Sequence, residues 1–73
     1  MTYDEFHNKL VQIELENYDN PFQQGYLSAP IIAEFYGMGA DEIVKGIEGR
    51  TTDTDDNHHR DMGALQWCRE QSK

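Results

Sequence analysis

The stretch APIIAEFYGMGADEIVKGIEG, from Ala29 to Gly49, is the part of the chain in which apolar spacing, glycine placement and helix punctuation agree. Ser28 can cap a first helix, because its hydroxyl can accept a hydrogen bond from a free backbone N–H. Gly37 predicts the end of that helix, since glycine takes a left-handed conformation without a Cβ clash. The apolar residues between them at helical spacing are Ile31, Ile32 and Phe35.

A second helix is predicted from Ala40 to Glu48. Asp41 and Glu42 would lie in its first turn, where the positive end of the helix dipole favours acidic side chains. Gly49 is its expected stop. The stretch therefore predicts two short helices joined by a glycine turn.

Residues 29–49, which are 21 of the 73 residues, resemble the helix-turn-helix of the repressor and Cro type. That family needs a small residue where the helices cross, a glycine at the turn and apolar residues that hold the second helix. The residues in those places are Ala33, Gly37, Met38, Ile43 and Ile47. The chain departs from the family at Tyr36, where leucine is usual, and at Gly46, where a bulky apolar side chain is usual. The resemblance implies a DNA-binding regulator; an ordinary helix pair is the alternative interpretation.

Residues 1–18 favour a helix that begins with a capping box of Thr2 and Glu5. One apolar stripe supports it, formed by Tyr3, Phe6, Leu10 and Ile13 and widened by Val11 and Tyr18. The alternation of Val11, Ile13 and Leu15 with polar residues is also typical of a half-buried strand. We prefer the helix, because no later segment offers a strand to pair with it.

Residues 19–28 are predicted to form a connector, because Pro21 disfavours helical geometry in the residue before it. Phe22, Tyr26 and Leu27 should pack this connector against the core, with a short helical turn after Pro21. An exposed aromatic patch for a partner is the alternative.

Residues 50–60 are polar throughout and are predicted to form a loop. A last helix should follow over residues 61–71, with Trp67 as its anchor and Gly63 as a weak point that requires packing. Its apolar spacing comes from Met62, Leu65 and Cys68. Exposure of Trp67 to a partner is the alternative interpretation.

Together these elements predict one mainly α-helical domain over residues 1–73, a small bundle of about four short helices with a helix-turn-helix-like central pair. A chain of this length buries only about 60% of the surface that it exposes when unfolded, so the core should be thin.

No metal or other cofactor is expected. Asp53, Asp55, Asn57 and Asp61 fall at oxygen-donor spacings of a calcium loop, but His58 replaces the required glycine and Ala64 the closing glutamate. Adjacent His58 and His59 project in different directions, and a structural zinc site needs four ligands.

Catalytic motifs are also missing, since the chain has no glycine-rich phosphate loop and no nucleophile elbow. Nothing in the sequence brings Cys68 together with a histidine as nucleophile and base. We therefore predict that the protein is not an enzyme.

The net charge of −8 comes from 14 acidic and 6 basic side chains spread along the chain. Such a field repels phosphates and membrane surfaces and attracts basic partners. A DNA-reading second helix would aim Asp41 and Glu42 at a polyanion, with only Lys45 and Arg50 nearby to neutralise phosphates. The single cysteine and the lack of a targeting or membrane segment predict a cytoplasmic location.

The sequence therefore predicts an acidic protein-interaction module that presents carboxylates to a basic surface of a nucleic-acid-handling enzyme. In size and charge it is similar to the inhibitors that phages and mobile elements encode. Solubility alone is the competing explanation of the charge, and the oligomeric state is left open. The candidate partner contacts are Asp4, Glu5, Glu14, Glu16, Asp41, Glu42, Asp53, Asp55 and Asp56. For the alternative, a divergent helix-turn-helix transcription regulator, the candidate DNA contacts are Gly39, Ala40, Lys45 and Arg50.

Overall fold

The computed structural model describes residues 1–49 and 55–71, which form four α-helices. They are α1 (Tyr3–Glu16), α2 (Pro21–Tyr36), α3 (Ala40–Glu48) and α4 (Asp55–Gln71). The described ranges contain no strand, so the expected mainly α-helical fold of about four helices is confirmed. The most extensive contact joins α2 to α4, while α1 packs on α2, and α3 packs more on α4 than on α2.

Helix α1 begins where the sequence predicts. The Thr2 hydroxyl oxygen accepts from the backbone N–H of Glu5 at 3.2 Å, and the hydroxyl donates to the Glu5 carboxylate at 3.2 Å. The buried stripe is narrower than expected, because among the described helices α1 contacts α2 alone. Phe6 is buried, whereas Val11 is 36% exposed and Tyr18 is 83% exposed. The expectation that these last two widen the stripe is therefore wrong.

Helix α2 starts well before the predicted position. Asn20 caps it by accepting from the backbone N–H of Gln23 at 3.2 Å, and Pro21 occupies the first helical position, where no N–H is needed. The predicted start at Ser28 and Ala29, and the predicted connector over residues 19–28, are therefore wrong. Residues 21–28 are helical, although Pro30 lies inside the helix and removes one of its hydrogen bonds.

The contact between α2 and α4 explains why that helix continues. A Cβ atom on Gly25 would overlap the carbonyl of Arg60, and a Cβ atom on Gly63 would overlap the carbonyl of Phe22. Two helix backbones thus pass each other at a distance that only glycine allows. This packing is the support that the weak last helix was expected to need.

The glycine turn and the second helix of the central pair agree with the sequence. Gly37 adopts φ 66° in the left-handed region, and the N–H of Met38 donates to the carbonyl of Ala33 at 2.9 Å. Helix α3 then begins at Ala40 and ends at Glu48, immediately before Gly49.

Helix α4 is longer than predicted, because it begins at Asp55. The expectation of a loop is therefore wrong for residues 55–60, and the remainder of that predicted loop, residues 50–54, lies outside the described residues. Cys68 is 2% exposed, Trp67 and Leu65 are half-buried, and Met62 is 36% exposed. Trp67 thus contributes to the packing of α4 without being fully enclosed.

One side-chain hydrogen bond ties α2 to the end of α4. The Tyr26 hydroxyl donates to a carboxylate oxygen of Glu70 at 2.6 Å. This hydrogen bond is the main cause that raises the pKa of Tyr26, because it stabilises the protonated phenol.

Candidate functional site

A groove with a volume of about 400 Å³ opens between α1 and α3 and has α2 and α4 as its floor. Among the described residues, no Cα atom of α1 lies within 8 Å of a Cα atom of α3, so the two backbones leave a space between them. Leu10 and Glu14 form the α1 side, and Ile43, Gly46 and Ile47 form the α3 side. An apolar concavity of this size with a few polar groups is the usual form of a binding site.

Most of the groove surface is apolar. The apolar residues around it are Leu10, Ala29, Ile32, Met38, Ile43, Ile47 and Ala64. Ala29 and Ile43 are buried, so they belong to the core beneath the groove, while the others are only half-buried. The fold therefore leaves part of its small apolar surface uncovered inside the groove.

A chain of hydrogen bonds closes one end of the groove. Gln24, which is 4% exposed, donates to the backbone carbonyl of Asn17 at 2.7 Å and accepts from Nε of Arg60 at 2.8 Å. Arg60 also donates to the side-chain oxygen of Asn57 at 3.2 Å. Asp61 is buried at the same end. The half-buried Arg60 thus has two neutral side chains as hydrogen-bond acceptors.

Gly46 differs from the two glycines at the α2–α4 contact. A Cβ atom built on it would have no neighbour within 4 Å, and it borders the groove. Glycine in a helix interior costs about 1 kcal/mol relative to alanine. Packing within the described part of the chain therefore gives no reason for a glycine there. The missing side chain leaves the backbone of α3 accessible from the groove.

The predicted partner contacts are distributed over three helices. Most are exposed acids in first turns, where they also stabilise the helix N-termini: Asp4 and Glu5 in α1, Asp41 and Glu42 in α3, and Asp56 in α4. Asp55 is the first residue of α4, and Asp53 lies outside the described residues. Glu16 is exposed and accepts from Gln12 at 2.6 Å. Of the predicted contacts whose side chains the structure describes, Glu14 is the one that lines the groove.

The residues expected for DNA binding lie in α3 or next to it in the sequence. Gly39 precedes the helix without a side-chain cap, and Ala40 is its first residue. Lys45 is exposed in the last turn, beside the exposed Glu48. Arg50 lies outside the described residues. Within the described part of α3, the exposed charged side chains are thus three acids and one lysine: Asp41, Glu42, Glu48 and Lys45.

A cluster of aromatic rings joins the start of α1 to the end of α2, and the sequence reasoning did not identify it. Phe6 and Phe35 stack with ring centroids 4.1 Å apart, and Tyr36 meets Phe35 edge-on at 5.0 Å. Tyr3 lies 6.2 Å from Phe35. Tyr3 and Tyr36 remain 66% and 60% exposed. The spacing within each helix was visible, but which helix ends meet depends on tertiary packing.

The residues considered for metal binding or catalysis are far apart or unsuited in this arrangement. Asp55, Asn57 and Asp61 lie on a helix, which does not have the geometry of a calcium loop. His58 and Cys68 are ten residues apart on α4, or about 15 Å along its axis. Burial raises the pKa of the Cys68 thiol, so the reactive thiolate is disfavoured. Among the described side chains, no group of three or more histidines, cysteines and acids could hold a metal ion.

None of the helices in the described ranges has the length and apolar character required to cross a membrane. No protein-family model, curated protein or solved structure matches the chain.

Proposed function

We propose that this protein is a non-enzymatic interaction module that presents carboxylates to a basic surface of a nucleic-acid-handling protein, such as a polymerase, a nuclease or a restriction complex. The balance of exposed charge carries this proposal. The exposed acids in the described part of the chain are Asp4, Glu5, Glu14, Glu16, Asp19, Glu34, Asp41, Glu42, Glu48, Asp56 and Glu70. The exposed lysines and arginines described there are Lys9, Lys45 and Arg69.

Arg60 strengthens this imbalance because it contributes little to the outer surface. Its guanidinium donates to Gln24 and Asn57, neither of which is charged, so these hydrogen bonds reduce the exposed cationic surface. A surface of this sign speeds encounters with basic partners and opposes encounters with phosphates. Carboxylates spaced over several helices would occupy the partner's phosphate contacts and keep nucleic acid out.

The first experiment is capture of partners from a nuclease-treated lysate, followed by measurement of the captured complex against rising salt. We expect the complex to weaken as salt rises, because the contacts are between opposite charges. Asp41→Lys with Glu42→Lys should weaken it at least about tenfold, which corresponds to about 1.4 kcal/mol.

Glu34→Lys with Glu48→Lys is the matched control, since it changes the net charge equally at exposed acids outside the candidate contacts. Equal losses from both pairs would show a general charge effect and no defined surface. Capture that depends on intact nucleic acid would contradict the proposal.

The second candidate is a divergent helix-turn-helix regulator, and the Gly37-linked pair of α2 and α3 favours it. It requires retention of duplex DNA at low salt through Gly39, Ala40, Lys45 and Arg50. Lys45→Ala should then weaken retention and reduce its salt dependence by about one phosphate contact. Absence of DNA retention at low salt would eliminate this candidate.

A further inference from the structure

We infer that the groove between α1 and α3 is the docking site for an amphipathic segment of a partner protein, with apolar side chains inserted in the groove and lysine or arginine beside them. This inference rests on the proposed function and specifies how the partner is held. It adds an apolar contact in the groove to the contacts between opposite charges.

The shape of the groove supports an inserted segment. Its two walls belong to helices whose Cα atoms stay more than 8 Å apart in the described structure, which leaves room for an inserted segment between them. The half-buried side chains of Leu10, Ile32 and Ile47 face the space of about 400 Å³. Covering them with apolar side chains would remove more apolar surface from water, at about 25 cal/mol for each Å².

Gly46 supports a close approach to the wall formed by α3. A helix gains about 1 kcal/mol when an interior glycine is replaced by alanine, and here a Cβ atom would meet nothing within 4 Å. The glycine keeps the backbone of α3 accessible beside Ile43 and Ile47. An incoming chain can therefore lie closer to this wall than any side chain at position 46 would permit.

Charge decides which occupant fits. Glu14 lines the α1 wall, and Glu42 precedes Gly46 by four residues, so it lies one turn away on the same side of α3. The α1 wall thus carries a carboxylate, and the α3 wall has one at its edge. Arg60, the cation in the described lining, donates to Gln24 and Asn57 at one end of the groove. On the described surface around the groove, exposed acids greatly outnumber exposed bases. A partner segment with cations beside its apolar residues uses both features, whereas a small apolar molecule would use only the groove.

The test uses the full chain as bait for a phage-displayed library of random linear peptides, with an oligolysine peptide as a second probe. Gly46→Phe should fill the groove, and Gly46→Ala is the matched control that leaves most of the space open. Thermal unfolding by circular dichroism confirms that both variants fold. We expect selected peptides to combine apolar residues with lysine or arginine.

Gly46→Phe should weaken these peptides about tenfold or more, and Gly46→Ala should leave their binding within about threefold. Oligolysine binding should be the same for both variants and the parent chain. If the selected basic peptides bind Gly46→Phe as tightly as they bind the parent chain, the groove is not the docking site. The proposed function would not be affected by that result. Selection of neutral apolar peptides, or failure of both probes, would overturn the inference and count against the acidic surface itself.

Discussion

Gly25 and Gly63 occupy helix interiors for a reason that does not apply to Gly46. At the first two positions the backbone of the facing helix fills the place of a side chain, whereas the third faces open space. All three look alike in the sequence, where an isolated glycine within a helical pattern indicates only weakened helix propensity. The distinction depends on which helices meet, which is information that local spacing does not contain.

Alanine substitutions at these glycines should therefore give opposite results. Gly46→Ala should raise the free energy of unfolding by up to about 1 kcal/mol through helix propensity. Gly25→Ala and Gly63→Ala should each lower it by about 1–3 kcal/mol or more, because the added methyl group forces the α2 and α4 backbones apart. Urea unfolding followed by circular dichroism measures all three. Tolerance of alanine at position 25 would show that the two helices do not approach as closely as described.

At the scale of an element, α2 shows how two valid start signals compete. Asn20 followed by Pro21 and Ser28 followed by Ala29 and Pro30 are both good helix starts, since each pairs a capping residue with a nearby proline. The helix begins at the earlier signal, and Pro30 then lies inside it and removes one backbone hydrogen bond. Starting at Pro21 places Gly25 inside the helix, opposite the backbone of α4. A long-range contact thus supports one of two local possibilities.

Removing each cap tests this choice. Asn20→Ala should lower the free energy of unfolding by about 1 kcal/mol, because the N–H of Gln23 loses its acceptor. Ser28→Ala should change it by less than about 0.5 kcal/mol, since Ser28 is inside the helix, where alanine has higher propensity. Chemical denaturation gives both values, and hydrogen exchange at the Gln23 amide should accelerate only in the first variant. If Ser28→Ala lowered the free energy of unfolding more than Asn20→Ala does, Ser28 would be the cap, and the shorter helix that the sequence predicts would be correct.

The difference between local signals and long-range contacts explains which predictions from the sequence were correct. The start of α1, the Gly37 turn and both ends of α3 are encoded within a few residues, in caps and in a left-handed glycine, and they were predicted correctly. The start of α4 was missed, because residues 55–60 are polar and carry no apolar periodicity. The groove also escaped prediction, since it exists only where α1 and α3 fail to meet. Of the predicted partner contacts that the structure describes, Glu14 lines the groove, but nothing in the sequence distinguished it from the other acids.

For the whole molecule, the acidic surface should make added salt favour folding and oppose binding to a basic partner. The exposed acids are spread over all four helices, so folding brings like charges together, with few exposed cations to offset them. Sodium chloride should screen this repulsion and raise the free energy of unfolding, while the same screening weakens a complex with a basic partner. Thermal unfolding across a salt series measures the first effect. Glu34→Gln with Glu48→Gln should reduce the salt dependence, because fewer like charges remain to be screened. Loss of stability as salt rises would instead show that attractive ion pairs dominate the folded state, and the acidic surface could not then be available to a partner.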